Sequence, residues 1–222
     1  MPPVESFDGA MQMALDEILL GSVSRPMMRF YRWSSPCVTF GYFQKLSEVR
    51  SLHPDLPAVR RWTGGGIVQH GSDLTFSLMI PKEEYAASLP PALFYQNLHA
   101  LLAEVIQRFS RSKIRIAGED QVLLGASCFT APARNDLLLE GRKILGGAQR
   151  RSAGSLLYQG SLQGTEILLS PDTLAIPSQV PKHLALALST SVTQITLGEV
   201  QRSDALALLS TRYGSQSWNA RR

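Results

Sequence analysis

Two stretches of this sequence set cations beside runs of glycine. RRWTGGGIVQH, residues 60–70, puts Arg60 and Arg61 ahead of Gly64, Gly65 and Gly66. GRKILGGAQRR, residues 141–151, puts Lys143 ahead of Gly146, Gly147 and the small Ala148. Glycine lets a ligand touch the main chain and leaves amide N–H groups free to bind its oxygens, while arginine counters negative charge. An isolated triple glycine is equally the tight turn of a hairpin. A lysine at the head of a strand is by itself usually solvated, but here small residues clear space beside it. An extended ligand could run along that strand with its carbonyl near the ammonium. Cys37 and Cys128 lie ninety-one positions apart, with neither metal-ligand spacing nor a disulfide framework, so at least one is a candidate free thiol.

The elements that must position these residues can be read from periodicity. Met11, Ala14, Leu15, Ile18 and Leu19 predict a helix over 8–20, stopped at Gly21. Strands are predicted over 28–33 and 37–43, joined at Ser34-Ser35-Pro36, and Leu74, Phe76, Leu78 and Ile80 alternate as in a half-buried strand. The longest helix follows Pro90-Pro91, with Leu98, Leu102, Val105 and Ile106 on one face. After a short strand at 113–117 come runs over 136–140, 143–151 and 155–163, separated by Gly141-Arg142 and Ser152-Ala153-Gly154, which read as a meander. Helices over 181–189 and 203–213, the second with Ser203 as cap and Gly214 at its end, follow. Antiparallel groups of strands with helices between the groups indicate an α+β layered fold of mostly antiparallel sheets.

Bulk properties narrow the function. The 222 residues are enough for a substantial core, and 44% hydrophobic with 18% charged residues describe an ordinary globular protein. A net charge of +4 is too mild to indicate nucleic acid but suits an acidic protein partner. The first twenty residues carry acidic groups where a secretory signal is basic, and no run approaches the ~20 apolar residues of a membrane helix. The expected location is therefore cytoplasmic, with no membrane partner.

MALDEILL, the Trp33–Gly41–Gln44 pattern, RRWTGGGIVQHGSDLTFS, GRKILGGAQ and LLYQGSL are similar, in order and approximate spacing, to segments of the biotin/lipoate protein ligase and octanoyltransferase superfamily. The resemblance spans nearly the whole chain. Within that superfamily, SCFTAPARNDLLLEGRK resembles most the cysteine-dependent octanoyltransferases, whose nucleophile precedes the GRK lysine. Cys128 stands fifteen residues before Lys143. Lipoate-protein ligases share the arginine-glycine loop and the lysine but usually carry a C-terminal accessory domain. Only eight residues follow Gly214, so a single catalytic domain over 1–222 without that accessory domain is expected.

The resemblance implies transfer of an eight-carbon acyl group, octanoyl or lipoyl, to a specific lysine of a small carrier domain. The implied donor is an acidic acyl carrier protein; the implied acceptor is a glycine cleavage H protein or a 2-oxoacid dehydrogenase E2 lipoyl domain. Burying about seven methylenes at ~0.8 kcal/mol each contributes roughly 5 kcal/mol before entropic losses, enough to select such a tail in a closed slot. Cys128 is the implied nucleophile. Lys143 is its electrostatic and proton-handling partner, since an ammonium favours a thiolate and binds a developing oxyanion. The implied substrate-binding positions are Arg60, Arg61, Gly64, Gly65, Gly66, Ile67, Val68, His70, Gly146, Gly147, Ala148 and Gln149.

The transferase needs no cofactor and no metal. Two alternatives remain: an ATP-dependent lipoate-protein ligase, which needs ATP and magnesium, and a non-catalytic acyl-carrier binding protein. The uninterrupted Gly64-Gly65-Gly66 is the ligase-like form, and Gln159 stands where many members have histidine. His70 is a loop-orienting or proton-path residue or a structural hydrogen-bond partner, and Asp73 a brace of the loop. Cys37 is assigned to the core; His53, His99 and His183 look incidental.

Overall fold

The computed structural model describes residues 4–119, 131–164, 175–195 and 197–221. In chain order its strands are β1 Glu5–Phe7, β2 Met27–Trp33, β3 Cys37–Phe40, β4 Ala58–Arg60, β5 Val68–His70, β6 Leu74–Ile80, β7 Ile114–Ile116, β8 Leu137–Leu139, β9 Arg142–Ser152, β10 Ser155–Leu162 and β11 Thr193–Gln194. The helices are α1 Gly9–Gly21, α2 Leu46–Leu52, α3 Tyr85–Ser88, α4 Pro91–Gln107, α5 Ile176–Leu188, α6 Glu199–Leu208 and α7 Gln216–Asn219. The large sheet runs β1-β2-β6-β10-β9-β8-β7, with β11 alongside β2, and a small sheet runs β4-β3-β5. Among the described residues only the β1–β2, β11–β2 and β3–β4 pairings are parallel. The expected α+β class with mostly antiparallel sheets is observed.

Each face of the large sheet has its own partner. Phe30, Phe76, Leu78 and Tyr158 share a core with Leu98, Leu102 and Ile106 of α4 and Val180 and Leu184 of α5. Tyr31, Trp33, Met79 and Leu157 pack against Ala14, Leu15 and Leu19 of α1. Strand β6 therefore lies buried along its whole length, and the half-buried expectation is corrected. Its alternation separates an apolar face from one on which Thr75 and Ser77 meet buried polar groups. Helix α1 starts where Asp8 Oδ1 accepts the Met11 N–H, and its Gln12 and Asp16, four residues apart, face the sheet together. There Asp16 accepts from Arg29 at 2.9 Å, from Ser77 at 2.6 Å and from Gln159 at 2.7 Å, while Gln12 Oε1 takes the other guanidinium nitrogen of Arg29.

The meander β8-β9-β10 forms as its turn residues require, with Gly141 at φ +77° and Gly154 at φ +86°. Helix α5 begins at Ile176, five residues before the predicted start, and contains Pro181. Helix α6 begins at Glu199 with Gly198, not Ser203, at its cap; a wider turn over Leu209–Tyr213 carries the chain to Gly214. Helix α2 and the short strands β1, β4, β5 and β11 carry too few residues for a periodic signal.

Candidate active site

A cavity of about 220 Å³ lies on the polar side of the large sheet, where the loop between β4 and β5 crosses β9 and β10. Of the predicted positions, Arg61, Gly65, Gly66, Ile67, Val68, His70, Lys143, Gly146, Gly147 and Ala148 line it. Two segments 77 residues apart, from Gly66 to Lys143, are thus brought to one space. Arg60, Gly64 and Gln149 are not among the lining residues, and Cys128 lies outside the described residues.

The two arginines do different work from the countercharge role expected of them. Arg60 is fully buried away from the cavity: its Nη1 donates to the carbonyls of Tyr42 at 2.8 Å and Gln44 at 2.6 Å, its Nη2 to that of Asn219 at 2.9 Å. It clamps helix α7 onto β4. Arg61 sits beneath the glycine loop, donating to Thr39 Oγ1 at 2.8 Å and to the carbonyls of Gly64 at 2.9 Å and Gly66 at 2.7 Å. Burial lowers Arg61 to about 10, still a cation at neutral pH. Its positive charge holds the loop's carbonyls inward. Gly65, at φ +83°, supplies the left-handed conformation that the bend needs. The turn account of the triple glycine therefore holds for Gly65, which together with Gly66 also lines the cavity.

A second support runs through His70. Its Nδ1 lies 2.8 Å from Asp73 Oδ2 and its Nε2 2.7 Å from Thr39 Oγ1, with the ring stacked on Trp33 at 3.9 Å. Burial, outweighing Asp73, lowers the His70 pKa, so the neutral ring donates from Nδ1 to Asp73 and accepts from Thr39 at Nε2. Burial alone would raise Asp73. Hydrogen bonds from His70, Ser161 and Thr75, together with the attraction of His70, instead hold the carboxyl at about 2. Asp73 is thus a permanent carboxylate that braces the wall, as the sequence suggested. Gln159 closes the floor, accepting from Thr63 at 2.7 Å and donating to Asp16.

At the other end stands Lys143, its Nζ 2.7 Å from Asp136 Oδ2, the side chains 11% and 1% exposed. The stem lies where a side chain on Gly146 would be: a Cβ there would fall 2.5 Å from Lys143 Cε. Gly147 is bare for a different reason, since its Cβ would meet the Tyr158 hydroxyl at 2.1 Å. Sequence reasoning read both glycines as slot walls and missed Asp136, Tyr95 and Tyr158; it set aside His99, which is fully buried against them. Nothing in local spacing marks these four, because they come from α4, a loop and β10.

Polar strand faces, a glycine loop held from beneath and a buried ion-paired ammonium enclose one cavity. A family model for the lipoyl protein ligase A/B catalytic domain matches residues 8–168. The chain belongs to this family. It is similar to the octanoyltransferase LipM of Clostridioides difficile, at 32% identity over 71% of this chain and 62% of the relative. The chain thus spans about three fifths of that relative's length. It is also similar to the octanoyltransferase LipM of Brevibacillus brevis, at 28% identity over 98% of this chain and 97% of that one. Among solved structures, protein Ta0514 of T. acidophilum with bound lipoic acid shares the fold, with a TM-score of 0.72 at 20% identity over 99% of this chain and 97% of that one. No helix among the described residues is long and apolar enough to cross a membrane.

Proposed function

We propose that this protein moves an octanoyl or lipoyl group from an acyl carrier thioester, through Cys128, to a lysine of a lipoyl carrier domain. The observation that carries the reading is the Lys143 ammonium, held by Asp136 against a cavity walled by Gly65, Gly66, Gly146 and Ala148. The names of its relatives support octanoyl as the group. Ala131 and Ala133 line the cavity, and Cys128 stands three residues before Ala131 in the sequence.

The Cys128 thiolate attacks the donor's thioester carbonyl, forming a new C–S bond. As the tetrahedral oxyanion collapses the donor's C–S bond breaks, and the departing thiolate takes a proton. Lys143 stabilises the charge that develops on oxygen, a contribution of about two to three orders of magnitude in rate. The acceptor lysine, as free amine, then attacks the acyl-enzyme; an amide forms, its nitrogen loses a proton and the Cys128 sulfur leaves. A free thiol has a pKa near 8.5, and a nearby ammonium favours its thiolate. The donor is an acidic acyl carrier protein, and the acceptor is a glycine cleavage H protein or an E2 lipoyl domain. The +4 charge of this chain is complementary to the acidic donor.

Intact mass after incubation with octanoyl carrier protein tests the reading: an octanoyl adduct lost in Cys128→Ser is expected. An unmodified protein that instead needs ATP, magnesium and free lipoate would make it a ligase. Binding of acyl carrier without turnover under either condition would make it a non-catalytic binder.

A further inference from the structure

The ammonium end of the cavity is built around one hydroxyl. Asp136 Oδ2, which holds Lys143, also accepts the Ala133 N–H at 2.7 Å, and Asp136 Oδ1 accepts the Tyr95 O–H at 2.5 Å. The Tyr95 oxygen in turn accepts the Gly147 N–H at 3.0 Å. That amide needs a partner because β8 pairs with β9 only as far as Leu137 opposite Leu145, which leaves the edge of β9 open at Gly147. The Tyr95 ring stacks on His99 at 3.9 Å. His99 is itself fixed, its Nδ1 donating to the Asn135 carbonyl at 2.7 Å and its Nε2 accepting from the Tyr158 hydroxyl at 2.5 Å. Burial pushes the His99 pKa down to about 4, so the ring is neutral and this pattern persists at physiological pH.

We infer that Tyr95 is a positioning residue for the Lys143 ammonium and acts through the Asp136 carboxylate. The inference rests on the reading of Lys143 as the group that faces the acyl carbonyl. A lysine is a point charge on a flexible four-carbon stem, whereas an oxyanion donor must be held to within about 0.5 Å. Asp136 follows a loop and precedes β8, and its place is set by what it bonds. Through one hydroxyl, Tyr95 ties that carboxylate to the strand along which the cavity runs. Lysine, carboxylate and β9 therefore share one fixed point.

Tyr95→Phe keeps the ring and its stack on His99 and deletes only the hydroxyl. In single-turnover acyl transfer it should lower the rate at saturating donor about 10-fold with KM unchanged, and Asp136→Asn should lower it about 10- to 100-fold, as outer partners of functional ligands do. In a Lys143→Ala background neither substitution should reduce the residual rate further, because residues acting as a unit are not additive. A tyrosine that merely satisfied the Gly147 amide would multiply the loss in both backgrounds. A readout without turnover is the ¹⁵N–¹H signal of the Lys143 ammonium, assigned by its disappearance in Lys143→Arg. Tyr95→Phe should shift it, whereas Tyr85→Phe, on a ring 79% exposed, should not. An unmoved signal in Tyr95→Phe, or a multiplicative loss in the Lys143→Ala background, would overturn the inference. If the wild type takes its acyl group only from ATP and free acid, the transferase reading fails, and the same cycle in that reaction still tests the positioning role.

Discussion

Alanine at Gly146 and alanine at Gly147 should have opposite consequences although the residues are neighbours. A Cβ on Gly147 would lie 2.1 Å from the Tyr158 hydroxyl oxygen, 2.3 Å from its Cζ and 2.7 Å from the Gln159 carbonyl oxygen. Tyr158 is a rigid ring with no exposed surface, packed on Phe76 and bonded to His99, so it cannot yield locally. Overpacking costs about 1–3 kcal/mol, and leaving the buried His99 acceptor unpaired costs about 1–3 kcal/mol more. The expected loss is about 4 kcal/mol, which for a chain of this length lowers Tm by roughly 8–16 °C. A Cβ on Gly146 would meet the far end of Lys143, with Cε at 2.5 Å and Nζ at 2.7 Å, and a flexible stem can swing aside. Gly146→Ala should therefore cost about 1 kcal/mol in stability yet lower turnover by about two to three orders of magnitude, as loss of one oxyanion donor does. Calorimetric unfolding and an octanoyl transfer assay on both variants provide the check. A Gly147→Ala protein melting within 2 °C of wild type, or a fully active Gly146→Ala protein, would refute the reasoning.

Lys143→Ala should lower turnover by about two to three orders of magnitude with the fold intact, and Lys143→Arg should not restore it, since a planar fork does not replace a compact ammonium. Near-normal turnover of the alanine variant would remove Lys143 from the chemistry. Gly65→Val should reduce both acyl binding and stability, because φ is +83° there and a branched side chain in that conformation costs about 1–2 kcal/mol or more; unchanged melting would contradict this. Acid should destabilise the fold in two stages. His99, at about 4 when folded against 6.5, binds its proton more readily in the unfolded chain, so about 3 kcal/mol of stability is lost as pH falls from 6.5 to 4. Asp73, at about 2 against 3.8, then loses about 2 kcal/mol as pH falls from near 4 to 2. In urea titrations His99→Gln should shrink the first limb, to which the buried His70 also contributes, and leave the second; an unchanged first limb would exclude His99 as a source.

Local pattern determined much of this protein. The spacing in 8–20 and after Pro90 suffices for α1 and α4, because an amphipathic helix writes its buried face into every few residues. The turns at Gly141 and Gly154 fix the register of β8, β9 and β10, because glycine there meets a left-handed demand that is itself local. Resemblance across five segments marked Arg61, Gly65, Gly66 and Lys143, all of which line one cavity. Tertiary structure alone decided what these residues touch. Arg60 and Arg61 are adjacent and chemically identical, yet one clamps Asn219, 159 residues away, and the other supports the glycine loop. Gly146 and Gly147 look equivalent in GRKILGGAQ, and only the arrival of Tyr158 from β10 separates them. His99 reads as an ordinary helix residue until Asn135 and Tyr158 close around it. The physical reason is common to all three: a side chain's hydrogen-bond partners and burial depend on groups distant in the chain, and no local period carries that information.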